Sequence, residues 1–141
     1  MIASLEQLPS PTVLLYAIVA AAILVYVPFG AVALGRVQAG YDMAAPRALF
    51  DKLPPYAQRA TWAHQNSFES FTIFSAAALM AYVTQQSGGW VNLAAIAYVT
   101  ARLFYSIFYI QNIPLGRSLM FGIGSASIAT LFLLSLMSLN A

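Results

Sequence analysis

The chain has no cysteine, one histidine and four acidic residues in 141 positions. Without cysteine there is no disulfide, no thiolate metal site and no cysteine nucleophile, so any thiol chemistry must use a thiol brought by a substrate. One histidine and four acids are too few for a dedicated zinc or two-metal centre, and no metal is expected. Charge of both signs is scarce: six Lys and Arg with four Asp and Glu make 7% of the chain, against 61% hydrophobic residues. A soluble domain needs many more charges to cover its surface, whereas a helix bundle in lipid needs them only at its ends and sites. The net charge of +2 bears on membrane topology and gives no reason to expect nucleic acid.

What is present is long apolar runs. The first span is expected over about 11–35, with Val13–Leu34 as its apolar part, long enough at about 1.5 Å per residue to cross about 30 Å of hydrocarbon. Ser10 and Pro11 read as its start and Pro28 as a kink. Its length and the absence of Lys or Arg before it predict a retained span rather than a cleaved leader. A polar loop from Arg36 to Pro55, broken by Gly40, Pro46 and Pro54, leads to a second helix over about 56–85 with a polar first half. QQSGG ends it, and two more helices are expected over about 90–110 and 114–139. The fold class is therefore an all-α integral membrane protein, one domain over 1–141, built as a four-helix bundle.

The six basic residues lie in the first loop, the third turn or the adjoining helix ends, which predicts those connections in the cytoplasm and both termini on the other side. Arg47 and Lys52 read as topology anchors and solvated loop charges. Arg36, Arg59, Arg102 and Arg117 sit at or inside helix ends. At about 100° per residue, Arg59, Asn66 and Glu69 share an arc of about 80° on the second helix, with Trp62 between them and His64 pointing elsewhere. His64 off that stripe reads as a packing residue. A carboxylate as deep as Glu69 must face the bundle interior or a wet cleft near a cation. Tyr98, Arg102, Tyr105 and Tyr109 form a second stripe within about 60° on the third helix, opposite Arg117 and Ser118 in the first turn of the fourth. A purely structural account pairs Glu69 with Arg59 or Arg102. One acid against four arginines leaves an excess of positive charge, however, and the missing anion is then a ligand bearing carboxylates or phosphates. Ser118, Gly122, Ala126 and Thr130 form a small-residue ladder suited to close helix packing, within or between subunits.

The stretch RATWAHQNSFESF, residues 59–71, and the stretch ARLFYSIFYIQNIPLGRSL, residues 101–119, resemble the second-helix and third-to-fourth-helix motifs of the membrane-associated proteins in eicosanoid and glutathione metabolism, the MAPEG family. The resemblance covers nearly the whole chain and implies a homotrimer that binds glutathione between subunits, with a lipophilic second substrate entering from the bilayer. It implies that Arg36 and Arg59 hold glutathione carboxylates, that Asn66 meets its peptide or amine groups, and that Glu69 meets its ammonium or a neighbouring arginine. Arg102, Tyr105 and Tyr109 complete the pocket. Arg117 with Ser118 faces the sulfur, and Arg117, Ser118 and Tyr109 are the expected catalytic groups. Gln65 stands where some relatives carry arginine, and the spacing from Tyr109 to Arg117 varies within the family. The activity implied is conjugation of the glutathione thiolate to hydrophobic electrophiles, with reduction of lipid hydroperoxides as a second reaction; separately, a minimal chain with no organelle signal leads us to expect a bacterial inner membrane as the host. Two other readings are a non-catalytic lipid-binding or scaffold protein of the same fold and a small proton-coupled multidrug transporter using Glu69. Against the transporter, the first span has no acid and the polar groups gather at one end of the bundle.

Overall fold

The computed structural model describes residues 2–139. A short helix α1 (Ile2–Glu6) precedes four long ones: α2 (Ser10–Gln38), α3 (Pro55–Val83), α4 (Gly89–Ile110) and α5 (Pro114–Ser138). No strand occurs among the described residues. The long helices start on or beside proline or glycine and stop where the expected breakers stand. Asn112 takes φ 60° in the turn between α4 and α5, a left-handed conformation that asparagine tolerates better than most residues.

The helices run up and down. At one end Ser10 meets Gly88 and Gln86 meets Ser138; at the other Tyr56 meets Gln38 and Arg59 meets Ile110. Each half has its own chemistry. The apolar core, around Leu14, Phe74, Ala78, Ala95, Tyr98 and Leu131, occupies the half nearest the N-terminus. Its many alanines let the helices approach closely, and Phe74 stacks flat on Tyr98 at 3.7 Å between centroids. The arginines gather in the other half.

Three helices, α2, α4 and α5, are long and apolar enough to cross a membrane. The fourth long helix, α3, matches α2 in length at 29 residues, but its polar first half keeps it from meeting that description.

Several local expectations are corrected. Helix α1 is an addition to the expected elements; it docks on α4, where the Asn92 amide donates to the carbonyls of Leu5 and Leu8 at 2.8 and 3.1 Å. Ser10 does not cap its own helix; its Oγ accepts from the Gly88 N–H at 3.1 Å. Helix α2 continues to Gln38, so Arg36 lies in its last turn and not in a loop, and a 3-10 turn at Phe50–Lys52 interrupts the segment after it. Within the chain α5 packs through Gly124, Ser127, Leu131 and Ser135, and of the ladder Ser118, Gly122 and Ala126 are exposed and Thr130 half-buried, so the ladder does not pack the helix inside the subunit.

Gly35 sets the spacing of α2 and α3 beside Arg36. A Cβ added there would collide with that of Ala57. Gly35→Val should therefore cost about 1–3 kcal/mol by overpacking and spread the helix ends that frame the site. Thermal unfolding of the variant in detergent checks this, with an unchanged midpoint as the contrary result.

Candidate functional site

Two cavities lie in the arginine-rich half. The larger, about 490 Å³, is framed by the end of α2, the loop after it and the first half of α3. Arg36, Arg47, His64, Gln65 and Glu69 supply its polar wall, while Phe29, Phe50 and Phe68 are among its apolar lining. The smaller, about 330 Å³, lies between α4 and α5 and is lined by Tyr105, Tyr109, Arg117, Ser118 and Phe121. Both fall within the range of small-molecule sites. They share no lining residue.

The centre of the smaller site is a pair of arginine–tyrosine stacks. The Arg102 guanidinium lies 4.1 Å from the centroid of Tyr105, and that of Arg117 lies 4.6 Å from Tyr109. The two rings meet edge to face at 5.6 Å. Stacking holds a guanidinium in place without consuming its N–H donors. The tight turn at Asn112 brings the start of α5 back over the end of α4 and so sets Arg117 against Tyr109.

Arg102 is 4% exposed. Its Nη2 donates to Asn66 Oδ1 at 3.1 Å and to Ser67 Oγ at 3.0 Å, both on α3, and its Nε has no partner. Arg36 likewise has a buried Nε without a partner. Among the described residues no salt bridge forms, and the purely structural account of Glu69 fails on this point: the carboxylate is exposed in the larger cavity, beside the walls that carry Arg36 and Arg47. The buried arginines are held by neutral oxygens and aromatic faces, and orphaned N–H groups of a cation are the kind of donor that a bound anion satisfies.

The expected residues thus divide into sets. Tyr105, Tyr109, Arg117 and Ser118 line one cavity, and Arg36 and Glu69 line the other. Asn66 and Arg102 form the connection between α3 and α4. Arg59 stands apart, since its Nε donates to the carbonyl of Ile110 at 3.0 Å and so caps the last turn of α4. That contact stabilises the negative end of the helix dipole and fixes the turn leading to Arg117.

His64 corrects the sequence reading, and Arg47 adds to it. His64 lines the same cavity as Glu69 and does not face away from it. Its Nδ1 lies 2.8 Å from the Val25 carbonyl, so Nδ1 carries the hydrogen. Pro28 lacks the N–H that would bond the adjacent Leu24 carbonyl, which makes this stretch of α2 a place where an outside donor is useful. Arg47 is exposed in the loop, as expected of a solvated loop charge, and also forms part of the cavity wall. The loop fold that brings it there carries no periodic signal in sequence. Ser67, the second anchor of Arg102, is absent from the sequence reading; nothing distinguishes it from other helix serines until the helices are packed. Among the described residues no group of three His, Asp or Glu side chains could hold a metal.

The site and the helices around it define a multi-pass integral membrane protein with an arginine-rich pocket region. The MAPEG family model matches residues 13–137, nearly the whole chain, and the protein belongs to that family of membrane proteins in eicosanoid and glutathione metabolism. Searches of curated proteins and of solved structures gave no match.

Proposed function

We propose that the protein is a membrane-bound glutathione transferase that works as a homotrimer, with each active site assembled from two subunits. The observation that carries this reading is the division of the arginines between two cavities that one chain does not join. Glutathione has two carboxylates, an ammonium and a thiol, and needs more cationic contacts than either cavity supplies alone. A site formed where the larger cavity of one subunit meets the smaller cavity of the next would bring Arg36 and Glu69 to the peptide's charged end and Arg117 with Ser118 to its sulfur.

A second feature supports the trimer. On α3, Trp62, Gln65, Glu69, Thr72, Ala76, Leu79 and Val83 follow one another at alternating steps of three and four residues, and all are exposed in the single chain. That is a heptad seam without a partner. In the trimer α3 is the fourth membrane crossing, its polar half shielded from lipid by its copies, and the arginine-bearing connections are cytoplasmic.

The chemistry needs little from the protein beyond electrostatics. A thiol with a pKa of about 8.5 is mostly protonated at neutral pH, and only the thiolate is a good nucleophile. A guanidinium about 4 Å away, at an effective dielectric near 20, stabilises the anion by about 4 kcal/mol, against about 1.4 kcal/mol per pKa unit. The thiol proton passes to water. The thiolate then forms a carbon–sulfur bond to a lipophilic electrophile as the leaving group departs. With a hydroperoxide it attacks the distal oxygen, the oxygen–oxygen bond breaks to release an alcohol after protonation by water, and a second glutathione converts the sulfenic product to disulfide and water.

Co-expression tests the shared site. Arg36→Ala and Arg117→Ala subunits should each be nearly inactive alone, and mixed trimers should regain a measurable fraction of glutathione-conjugating activity, because some interfaces then hold two intact faces. Mixed trimers as inactive as either parent would contradict a site between subunits.

A further inference from the structure

The hydroperoxide reaction needs a proton at one place. When a thiolate takes the distal oxygen of an alkyl hydroperoxide, the other oxygen leaves as an alkoxide, about as basic as hydroxide, whose conjugate acid has a pKa of about 15.7. A chloride or a carboxylate leaves without a proton. Four side chains that can carry one line the smaller cavity: Tyr105, Tyr109, Arg117 and Ser118. Arg117 would lose, with its proton, the charge that holds the thiolate. The Ser118 hydroxyl is an alcohol, no better an acid than the product it would protonate. A phenol, with an ordinary pKa of about 10, gives its proton to an alkoxide downhill.

The two phenols differ in the cation behind them. Tyr109 lies under Arg117 at 4.6 Å, so a phenolate there would draw on the charge that the thiolate needs. Tyr105 is 4% exposed and rests on a different cation, Arg102, at 4.1 Å. Arg102 donates to the neutral oxygens of Asn66 and Ser67, and its buried Nε has no partner among the described residues. It is a fixed cation without a counter-ion, stacked on a tyrosine of the cavity. Among the described residues the tyrosine hydroxyls that form hydrogen bonds are those of Tyr56 and Tyr98, which leaves that of Tyr105 for a ligand.

We propose that Tyr105 is the general acid of hydroperoxide reduction, its hydroxyl protonating the departing alkoxide in place of water. The assignment rests on the glutathione-transferase reading. The sulfur bonds to the distal oxygen, the electron pair of the broken oxygen–oxygen bond stays on the other oxygen, and that oxygen takes the Tyr105 proton. The products are a sulfenic acid, an alcohol and a phenolate whose charge Arg102 offsets. A second glutathione thiol returns a proton to the phenolate, and its thiolate displaces hydroxide from the sulfenic sulfur to give the disulfide. The hydroxide joins the proton released when the first thiol ionised. Arg102 is a positioning residue for this step.

The test compares two peroxides attacked in the same way, cumene hydroperoxide, which releases an alkoxide, and perbenzoic acid, which releases benzoate. The full-length protein in nanodiscs is assayed at saturating glutathione, with kcat/KM for each peroxide read from its released alcohol or acid. In Tyr105→Phe the ratio of the first to the second should fall about a hundredfold, the low end of what a general acid contributes. In Tyr109→Phe the two rates should move together. A Tyr105→Phe ratio equal to that of the wild type, as a merely structural role would give, or a ratio lost equally in Tyr109→Phe, would overturn the proposal. A wild type that conjugates glutathione to chlorodinitrobenzene but reduces no cumene hydroperoxide would overturn this proposal alone; one that does neither would overturn the transferase reading and this proposal with it.

Discussion

In the Arg117→Ala protein the ultraviolet thiolate band of bound glutathione should be lost at neutral pH while glutathione still binds. The peptide is held mainly by groups away from the sulfur, so the variant should keep most of its affinity and lose its reactivity. Returning the thiol from a depressed pKa to about 8.5 costs about 25-fold in thiolate at neutral pH if the shift is about two units, a shift that corresponds to about 2.7 kcal/mol of stabilisation of the anion. This lies within the roughly 4 kcal/mol available from a nearby guanidinium. The sign fixes the pH profile. On the proposed reading the wild-type thiol, with its pKa lowered, should already be ionised at neutral pH, and activity should fall only as pH drops through that lowered value. In Arg117→Ala, activity should instead climb until about 8.5. Measuring kcat/KM for the electrophile at saturating glutathione against pH for both proteins distinguishes this from a general loss of folding, which would lower the curve without moving it. An unshifted curve would remove Arg117 from the activation step.

The second large effect concerns the anchor of Arg102. With the side chain 4% exposed and its donors resting on Asn66 Oδ1 and Ser67 Oγ, Asn66→Leu strips a buried cation of one of two acceptors. A hydrogen bond to a charged group is worth about 1.5–3 kcal/mol, and the orphaned donor adds its own desolvation penalty. We expect a loss of about 2–3 kcal/mol in stability, read as a lower unfolding midpoint by circular dichroism in detergent. Asn66→Asp should behave differently. It gives Arg102 a carboxylate and keeps the fold, but it cancels a positive charge in the site and should weaken glutathione about tenfold or more. If Asn66→Leu is as stable as the wild type, Arg102 is not held as described.

How much of this is legible in sequence depends on the length scale of the signal. Three of the four long helices are, because long apolar runs between proline and glycine breakers leave few alternatives in lipid, and α3 is legible from its start at Pro55, its helical stripe and its QQSGG stop. Helix α1 is not: five residues have no useful periodicity, and they are helical here because Asn92, far along the chain, holds the carbonyls of Leu5 and Leu8. Helical spacing also identifies Arg102, Tyr105 and Tyr109 as one stripe, which their stacked contacts bear out. It fails for His64, whose bearing on the helix wheel differs from that of Glu69 although both reach one cavity, because that cavity wraps around α3 between α2 and the loop. Arg47 escapes the sequence reading for a related reason. Its loop is folded back by a short 3-10 turn and by packing of Leu49 and Leu53, contacts that no local pattern encodes. The separation of the arginines into two cavities is beyond any one-dimensional reading, since it depends on which helices pair.

The central claim is that these arginines bind glutathione and hold it as thiolate. Calorimetric titration of glutathione into the purified protein in nanodiscs, with the ultraviolet thiolate band followed in parallel, tests it most directly. Saturable heat accompanied by a thiolate band at neutral pH is the predicted result. A protein that takes up no glutathione, with neither heat nor band, would contradict the account and leave a lipid-binding role as the better explanation of the same pockets.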